Sequence, residues 1–362
     1  MAEKQKTHRQ PKLSRPTTIR DIAAHTGVAV MTVSRVINES GYVSQEMREK
    51  VLKAVQELNY HPNGLARGLK RRRTQAIGIL VPDIANPFAA ELVGGIQEVL
   101  SARGYSSFIS TSDRSTTREE AGLRALFDHR ADGAIVATRE TKAGNDFLLG
   151  LLNYDLQIVV VGRELNHPRV DRVTADHFKG GYDVTEHLIK MGHRRIAFVG
   201  VSAPNGAGLH RYRGYVEALR ANGIPFDEKL VVGPKVDAGP GFSTQDDGYE
   251  GAKRILSAKS RPTAIFARND FTAMGAMYAI RDAGLAIPDD IAVAGFDNVP
   301  LSAYTAPPLT TVAQRTVLQG REAALLLLDR IDGNRQRERR NICLDCELIV
   351  RQSTIKDIAR TD

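Results

Sequence analysis

Four polar side chains stand on one short segment with helical apolar spacing: Thr32, Ser34, Arg35 and Asn38. Hydroxyls, an amide and a guanidinium are the groups that donate to phosphate oxygens and read base edges. Val30 and Met31 open the same segment, and if exposed they would meet thymine methyls. Further on, Lys70 to Arg73 form an unbroken basic run after Leu65, Ala66 and Leu69, which also have helical spacing. Gly64 and Gly68 each cost a helix about 1 kcal/mol. The segment is also shorter than the ~12–15 residues of a marginal isolated helix. Two readings stay open: a flexible linker, or a helix that forms when an anionic and an apolar partner arrive together.

Catalytic chemistry has no comparable foothold. The chain contains no G-x-x-x-x-G-K-[ST], no H-E-x-x-H and no G-x-S-x-G. Gly206-Ala-Gly208 lacks the third glycine of a dinucleotide loop. His193 follows Gly192 at a helix-to-strand turn, where a turn role is expected. Cys343-Leu-Asp-Cys346 is a lone C-x-x-C within an expected strand, Ile342 to Val350. An offset of three puts its thiols on opposite strand faces, and no second pair completes a zinc site. We expect no catalytic residue, no metal site and no cofactor.

The elements that would position these groups begin at Thr17 or Thr18. Thr18-Ile-Arg-Asp21 has capping-box spacing. Ile19, Ile22 and Ala23 give a helical face that Gly27 ends. A second helix spans Val30 to Asn38, and a third starts near Ser44 with Met47, Val51, Val55 and Leu58 at spacings of three and four. Three short helices with a tight turn between the first two outline a helix-turn-helix. A helical bundle of another purpose has the same periods. From Ala76 the pattern changes. Apolar runs at 76–81, 107–110, 133–137, 158–161, 196–199, 264–267 and 291–296 alternate with helical stretches that include 88–102, 178–190, 212–221 and 270–283. This alternation predicts an α/β core with parallel sheets. Its size predicts two lobes with ligands at the carboxyl ends of their strands.

Composition agrees with this division. The chain has 362 residues, 42% hydrophobic and 25% charged, which suits a folded globular protein. Residues 1–75 carry 15 Lys+Arg against 6 Asp+Glu, while residues 76–362 carry 35 against 36. The net charge of +8 therefore lies in the first fifth, where a nucleic-acid or acidic-surface contact, or a solvated tail, would produce it. Two cysteines fit a reducing compartment. The polar N-terminus has no hydrophobic leader segment, and no window approaches a membrane span. We expect a cytoplasmic protein without membrane contact. The expected domains are a disordered basic arm at 1–16, the helix-turn-helix at 17–61, a hinge or linker at 62–75, the two-lobed core at 76–355 and a tail at 356–362.

The segment from Thr18 to Asn38 resembles the DNA-binding start of the lactose-repressor/galactose-repressor (LacI/GalR) family. The resemblance continues through Leu58-Asn-Tyr-His-Pro-Asn63, Leu65-Ala-Arg-Gly-Leu69, Gly284-Leu-Ala-Ile-Pro288, Gly295-Phe-Asp-Asn298 and Pro308-Leu-Thr-Thr-Val312. It implies a dimeric regulator with a hinge helix that folds on operator DNA and a core similar to periplasmic sugar-binding proteins. By that resemblance Thr18, Val30, Met31, Thr32, Ser34, Arg35, Asn38, Asn63, Leu69 and Lys70 are DNA-binding. Val30 and Met31 would choose the bases, Arg35 would reach a guanine edge, and Leu69 would wedge into the minor groove and kink it. Ala29 departs from the family's usual serine N-cap, a loss of typically about 1 kcal/mol.

In the core, the same resemblance to pentose- and hexose-binding proteins implies an effector set of Asn86, Phe88, Arg163, Arg211, Asn269, Asp297 and Gln314. Arg211 stands in an R-x-x-G arrangement with Gly214. Forked donors, a carboxylate, amides and an apolar ring are what a polyol needs. Ala89 and Gly162 depart from the ribose-type pattern of a second aromatic and an acidic residue, which points to a larger or differently substituted sugar. The expected protein is a sequence-specific repressor of carbohydrate-metabolism genes. Its partners would be a pseudo-palindromic double-stranded operator, a carbohydrate effector and a second copy of itself. The alternatives are a regulator that answers a nucleobase or a partner protein, and a solute-binding protein. Only 355–362 follow the last expected strand, too short for an added tetramerisation helix, so dimers are expected.

Overall fold

A computed structural model describes residues 17–60, 73–113, 115–138, 141–154, 156–200, 207–233, 245–333 and 337–355. The expected basic arm, the hinge residues Asn63, Leu69 and Lys70, and the tail lie outside the described residues. The chain divides into two compact units, Met1–Thr74 and Gln75–Asp362.

The first unit holds three helices: α1 Ile19–Thr26, α2 Val30–Ile37 and α3 Gln45–Glu57. The capping box at Thr18 forms. Its hydroxyl accepts from the Asp21 amide, and the Asp21 carboxylate accepts from the Thr18 amide at 2.8 Å. Two orphan amides of the first turn are thereby satisfied. Gly27 ends α1 at φ +64°, a left-handed turn that glycine adopts without a Cβ clash. Ala29 makes no side-chain cap bond. Ile22, Val33, Val36, Val51 and Ala54 form the shared core. Helices this short gain most of their stability from such packing.

The second unit has two lobes. In lobe 1, strands β1 Ala76–Val81, β2 Ser106–Thr111, β3 Gly133–Val136, β4 Gln157–Val161, β5 Val170–Ala175 and β11 Asn341–Leu344 form one parallel sheet in the order β11-β5-β4-β3-β1-β2. Helices α4 Pro87–Ala102 and α11 Thr316–Ile331 cover one face, where Ile77 and Ile79 meet Leu92, Ile96, Ala323 and Leu327. Helices α5 Thr116–Asp128 and α6 Lys142–Leu151 cover the other, where Leu80 and Ile158 meet Leu123, Leu126 and Leu148. Covered on both faces, β1 is buried at every position, as a central parallel strand should be. An ionic cluster ties α11 down. Asp171 on β5, fully buried, accepts from Arg330 at 2.7 and 2.9 Å and from Arg337 at 2.6 and 3.0 Å.

Lobe 2 is built on β7 Val231–Val232, β6 Ile196–Val199, β8 Ala264–Ala267 and β9 Ala292–Ala294, parallel in that order. Its helices are α7 His177–Lys190, α8 Ala207–Ala221, α9 Gln245–Leu256 and α10 Asp270–Asp282. A two-stranded pair, β10 Thr311–Ala313 with β12 Glu347–Ile349, completes it. The chain passes between lobes three times: from β5 to α7, from β10 to α11 and from β11 to β12. The crossings touch, because the Asp176 amide donates to the Leu344 carbonyl at 2.9 Å. The single strand expected over Ile342–Val350 is therefore corrected to two strands in different lobes. The apolar alternation runs on while the chain changes sheets at Asp345-Cys346, so an unbroken pattern hides the break.

Candidate functional site

Two places bring together side chains the sequence singled out. On the first unit, α2 presents Val30 and Met31 outward at 46% and 67% exposure, with Arg35 exposed one turn on. The Arg35 stem runs past Gly41, where a Cβ would stand 3.6 Å from its Cδ. Thr32 and Ser34 are half-buried at the edge of the same face. Asn38 has a second task beside the one expected. It caps α2, donating from Nδ2 to the Ser34 carbonyl at 2.8 Å and to Ser34 Oγ at 3.2 Å. Having accepted there, the Ser34 hydroxyl keeps its own hydrogen for an acceptor such as phosphate. Tyr42, almost fully exposed beside Gly41, is a surface aromatic the sequence reading passed over.

In the second unit, the strand ends of lobe 2 converge on Asp297. Arg211 Nη2 lies 3.2 Å from Asp297 Oδ1. The Arg211 Nη1 donates to the Arg268 carbonyl at 2.7 Å, and its guanidinium stacks on Phe296 at 3.8 Å. Gln314 Nε2 donates to the same carboxylate. Asp297 and Asn298 both sit at positive φ, +117° and +55°. Such backbone costs of order 1–3 kcal/mol per residue and persists only when its surroundings over-determine it. Here the braces are the Asp297 amide on the Val312 carbonyl at 2.9 Å and Arg351 on Asn298 Oδ1 at 2.7 Å. Burial pushes the Asp297 carboxyl up, against the pull of Arg211. Beneath it, burial and then the charge of Asp297 push Asp270 well above the usual carboxylate range.

The R-x-x-G spacing has a physical cause here. A Cβ on Gly214 would overlap the carbonyl oxygen of Phe178, and one on Gly181 would overlap that of Arg211. The two glycines let α7 and α8 touch backbone to backbone, which fixes where Arg211 stands. His177, the first residue of α7, accepts from Arg211 Nε at 3.4 Å. Burial, followed by the neighbouring Arg211, holds its ring well below the ordinary histidine value, so it is neutral with Nδ1 unprotonated.

His177 also lines a cavity of about 280 Å³ between the lobes, together with Gly162, Glu164, Arg172, His210 and Cys343. Glu164 of lobe 1 meets His210 of lobe 2 at 2.7 Å, and this hydrogen bond holds the Glu164 carboxyl below its usual range. None of the seven expected effector residues lines this cavity; Arg211 abuts it through His177. Arg163 is corrected outright. It is fully buried inside lobe 1, donating to Glu119 at 2.8 Å, Thr138 at 3.0 Å and Asn145 at 2.7 Å. The residue type was right for a sugar, but on the strand's other side Gly162 and Glu164 face the cavity. Asn86 and Asn269 are helix N-caps, their Oδ1 atoms accepting from Phe88 and Thr272. Each keeps an Nδ2 donor to offer. Phe88 is half-buried at the start of α4.

The sequence reading missed His177, Glu164, His210 and Glu91. Burial, and then the charge of Asp297, raise the Glu91 carboxyl. No spacing rule marks Glu91; it is one of two carboxylates on its helix, with Glu98. Among the described residues no group of three or more His, Cys, Asp or Glu side chains could hold a metal. No helix among them is long and apolar enough to cross a membrane.

Comparison with known proteins adds the following. A model of bacterial regulatory proteins of the lacI family matches residues 18–63, and a periplasmic binding protein-like domain matches residues 185–354. The transcriptional repressor PurR of Mannheimia succiniciproducens is 34% identical over 342 residues, 94% of this chain and 99% of that protein. The solved complex of the transcriptional regulator CelR with cellobiose is similar at a TM-score of 0.70 and 34% identity, over 93% of this chain and 99% of that one. The lac repressor dimer bound to operator and the anti-inducer ONPF is similar at a TM-score of 0.82 and 28% identity, over 94% of this chain and 100% of that one.

Proposed function

The chain belongs to the lacI family of bacterial regulatory proteins and is a DNA-binding transcriptional regulator, and we propose that it represses carbohydrate-metabolism genes under the control of a sugar or sugar derivative held between the lobes of its core. The observation that carries this is the Arg211–Asp297–Gln314 cluster. A forked donor, a carboxylate acceptor and an amide, braced by strained backbone at the ends of lobe 2 strands, are suited to paired hydroxyls. The 280 Å³ cavity beside it suits a small ligand. A ligand that touches both lobes binds the closed arrangement better, and only that difference in affinity can shift the protein.

On DNA, Val30, Met31 and Arg35 read bases, while Thr32 and Ser34 hold phosphate. Thr18 and Asn38, which cap α1 and α2, keep the DNA-binding roles expected of them. Asn63, Leu69 and Lys70 keep the roles implied for the hinge. The operator is a pseudo-palindrome read by a homodimer. The dimer reading is supported by β2, an edge strand that exposes Phe108 and Ile109, and by exposed Tyr278, Leu301 and Tyr304. Such apolar edges are normally covered. Phe108→Lys with Ile109→Lys is expected to shift sedimentation from dimer toward monomer; an unchanged dimer would move the interface elsewhere.

Thermal shift with pentoses, hexoses, polyols and purines tests the effector. A sugar should raise the melting temperature in a concentration-dependent way and change operator affinity. If purines alone do so, the carbohydrate assignment is wrong.

A further inference from the structure

One flank of the cavity is cationic. Arg172 on β5 lines the cavity. Arg339 lies beside it: on the neighbouring edge strand Asn341 pairs with Arg172 and the Arg340 carbonyl accepts from the Arg172 amide at 3.0 Å, and burial, then the charge of Arg172, hold the Arg339 guanidinium below its ordinary value. Arg169 and Arg339 likewise press on His167, after burial. Two of the three nearby carboxylates are already matched by cations, and the third, Asp176, lines the cavity while capping a helix. Asp171 accepts from Arg330, Arg337 and the Arg340 amide. Glu164 holds His210 at 2.7 Å and Arg172 at 3.7 Å. Asp176 accepts from the Lys179 amide at the start of α7.

Donors are what remain. Arg172 Nε and Arg339 Nε are each shut away from water with no acceptor. Arg339 Nη1 donates to the amide oxygen of Asn166 rather than to a carboxylate. A buried N–H without a partner is costly, and an arriving acceptor that lets the guanidinium turn to it returns that cost. Guanidinium forks match phosphate and carboxylate oxygens two at a time.

We propose that this flank is an oxyanion site. A phosphate or carboxylate group is taken between Arg172 and Arg339, with Arg169 adding to the positive field beside the neutral His167. Its carrier extends into the cavity toward His210. The oxyanion contact stands on these arginines alone; only the identification of its carrier with the effector rests on the function proposed above.

Calorimetry on the full chain at fixed ionic strength tests this with four probes: inorganic phosphate, glucose 6-phosphate, gluconate and glucose. At least one oxyanion should bind saturably, and Arg172→Gln and Arg339→Gln should each weaken it at least tenfold. Arg172→Lys keeps the charge without the fork and should fall between. Glucose 6-phosphate or gluconate binding tenfold tighter than inorganic phosphate would assign the group to an effector; equal affinity would assign it to the free anion. Oxyanion binding that depends on the arginines but leaves operator affinity unchanged would uphold the site and refute the effector assignment. Glucose binding without any oxyanion binding would refute the site and leave the sugar reading standing. Oxyanion binding unchanged in both Gln variants would put the anions on the basic DNA-binding unit and overturn the proposal. If Arg172→Gln does not fold, Arg339→Gln, at a half-exposed position, decides the matter.

Discussion

Arg35 and Arg211 are the same side chain in opposite settings. Arg35 stands in water on α2, free to reach a base edge, and its truncation disturbs no core. Arg35→Ala should relax preference at one base pair in each half-site by about 1–3 kcal/mol and leave the melting temperature unchanged. Binding to an operator series substituted at each position measures this; a uniform loss across sequences would assign Arg35 to phosphate instead. Arg211 is buried against Asp297, so removing it strands a carboxylate and threatens the fold. Asp297→Asn is the cleaner change. It keeps shape and the Gln314 neighbour, and should cost effector affinity about 1–3 kcal/mol while operator affinity stays within a few-fold. A normal effector response would remove Asp297 from the site. Arg211, Asp297 and Gln314 were legible through the resemblance to sugar-binding proteins, which matches residue types to positions along the chain. Arg163 met the same criterion and failed it, since which side of a strand end faces the cavity depends on the partner lobe, and no local pattern records that.

At the scale of elements, the reciprocal contact of Gly181 and Gly214 sets the distance between α7 and α8. Gly214→Ala puts a methyl where the Phe178 carbonyl stands, so the helices must part. We expect a destabilisation of about 1–3 kcal/mol and a loss of effector response larger than that of Ala218→Gly on the same helix. Melting curves and effector titrations compare the two; equal losses would mean Gly214 only stabilises. Alternating apolar runs announced most strands and helices here. They failed where the chain changed partners. β5 was not anticipated, because Asp171 and Arg172 interrupt its apolar run with residues that serve the ion cluster and the cavity. α8 begins at Ala207 rather than near Tyr212, its first turn carrying His210 to the cavity and the next residue setting Arg211 against Asp297. The strand expected over Ile342–Val350 concealed a crossing for the same reason: sheet identity is a long-range fact.

For the whole molecule, acidity is expected to act through histidine before carboxylate. Folded His177 stays neutral, whereas in the unfolded chain it takes a proton near pH 6.5. Stability should therefore fall as pH drops through that value, by up to about 1.4 kcal/mol per pH unit for this group. His187, also held low by burial, adds in the same direction. Asp171 is the reverse case. Its arginine partners outweigh burial and hold it low, so its contribution persists until pH falls below the ordinary carboxylate value near 3.8. Chemical denaturation from pH 7.5 to 5 should show a slope that His177→Gln flattens; an unchanged slope would mean the ring gains a proton in the folded state.

The return of α11 and β11 to lobe 1 has a consequence for how the molecule is made. Lobe 2 is one uninterrupted stretch between β5 and α11, apart from β12, whereas lobe 1 is open until α11 supplies half of one core face and β11 closes the sheet edge. On the ribosome the DNA-binding helices emerge first. Five strands of lobe 1 then wait while lobe 2 is synthesised, roughly 7–28 s at about 5–20 residues per second. During that interval β5 is an unpaired edge and Ile77, Ile79 and Leu92 lack their cover. A nascent regulator can thus touch DNA non-specifically before it can sense anything, and chains arrested before residue 316 should bind DNA without operator preference, resist proteolysis in lobe 2 and remain cleavable in lobe 1.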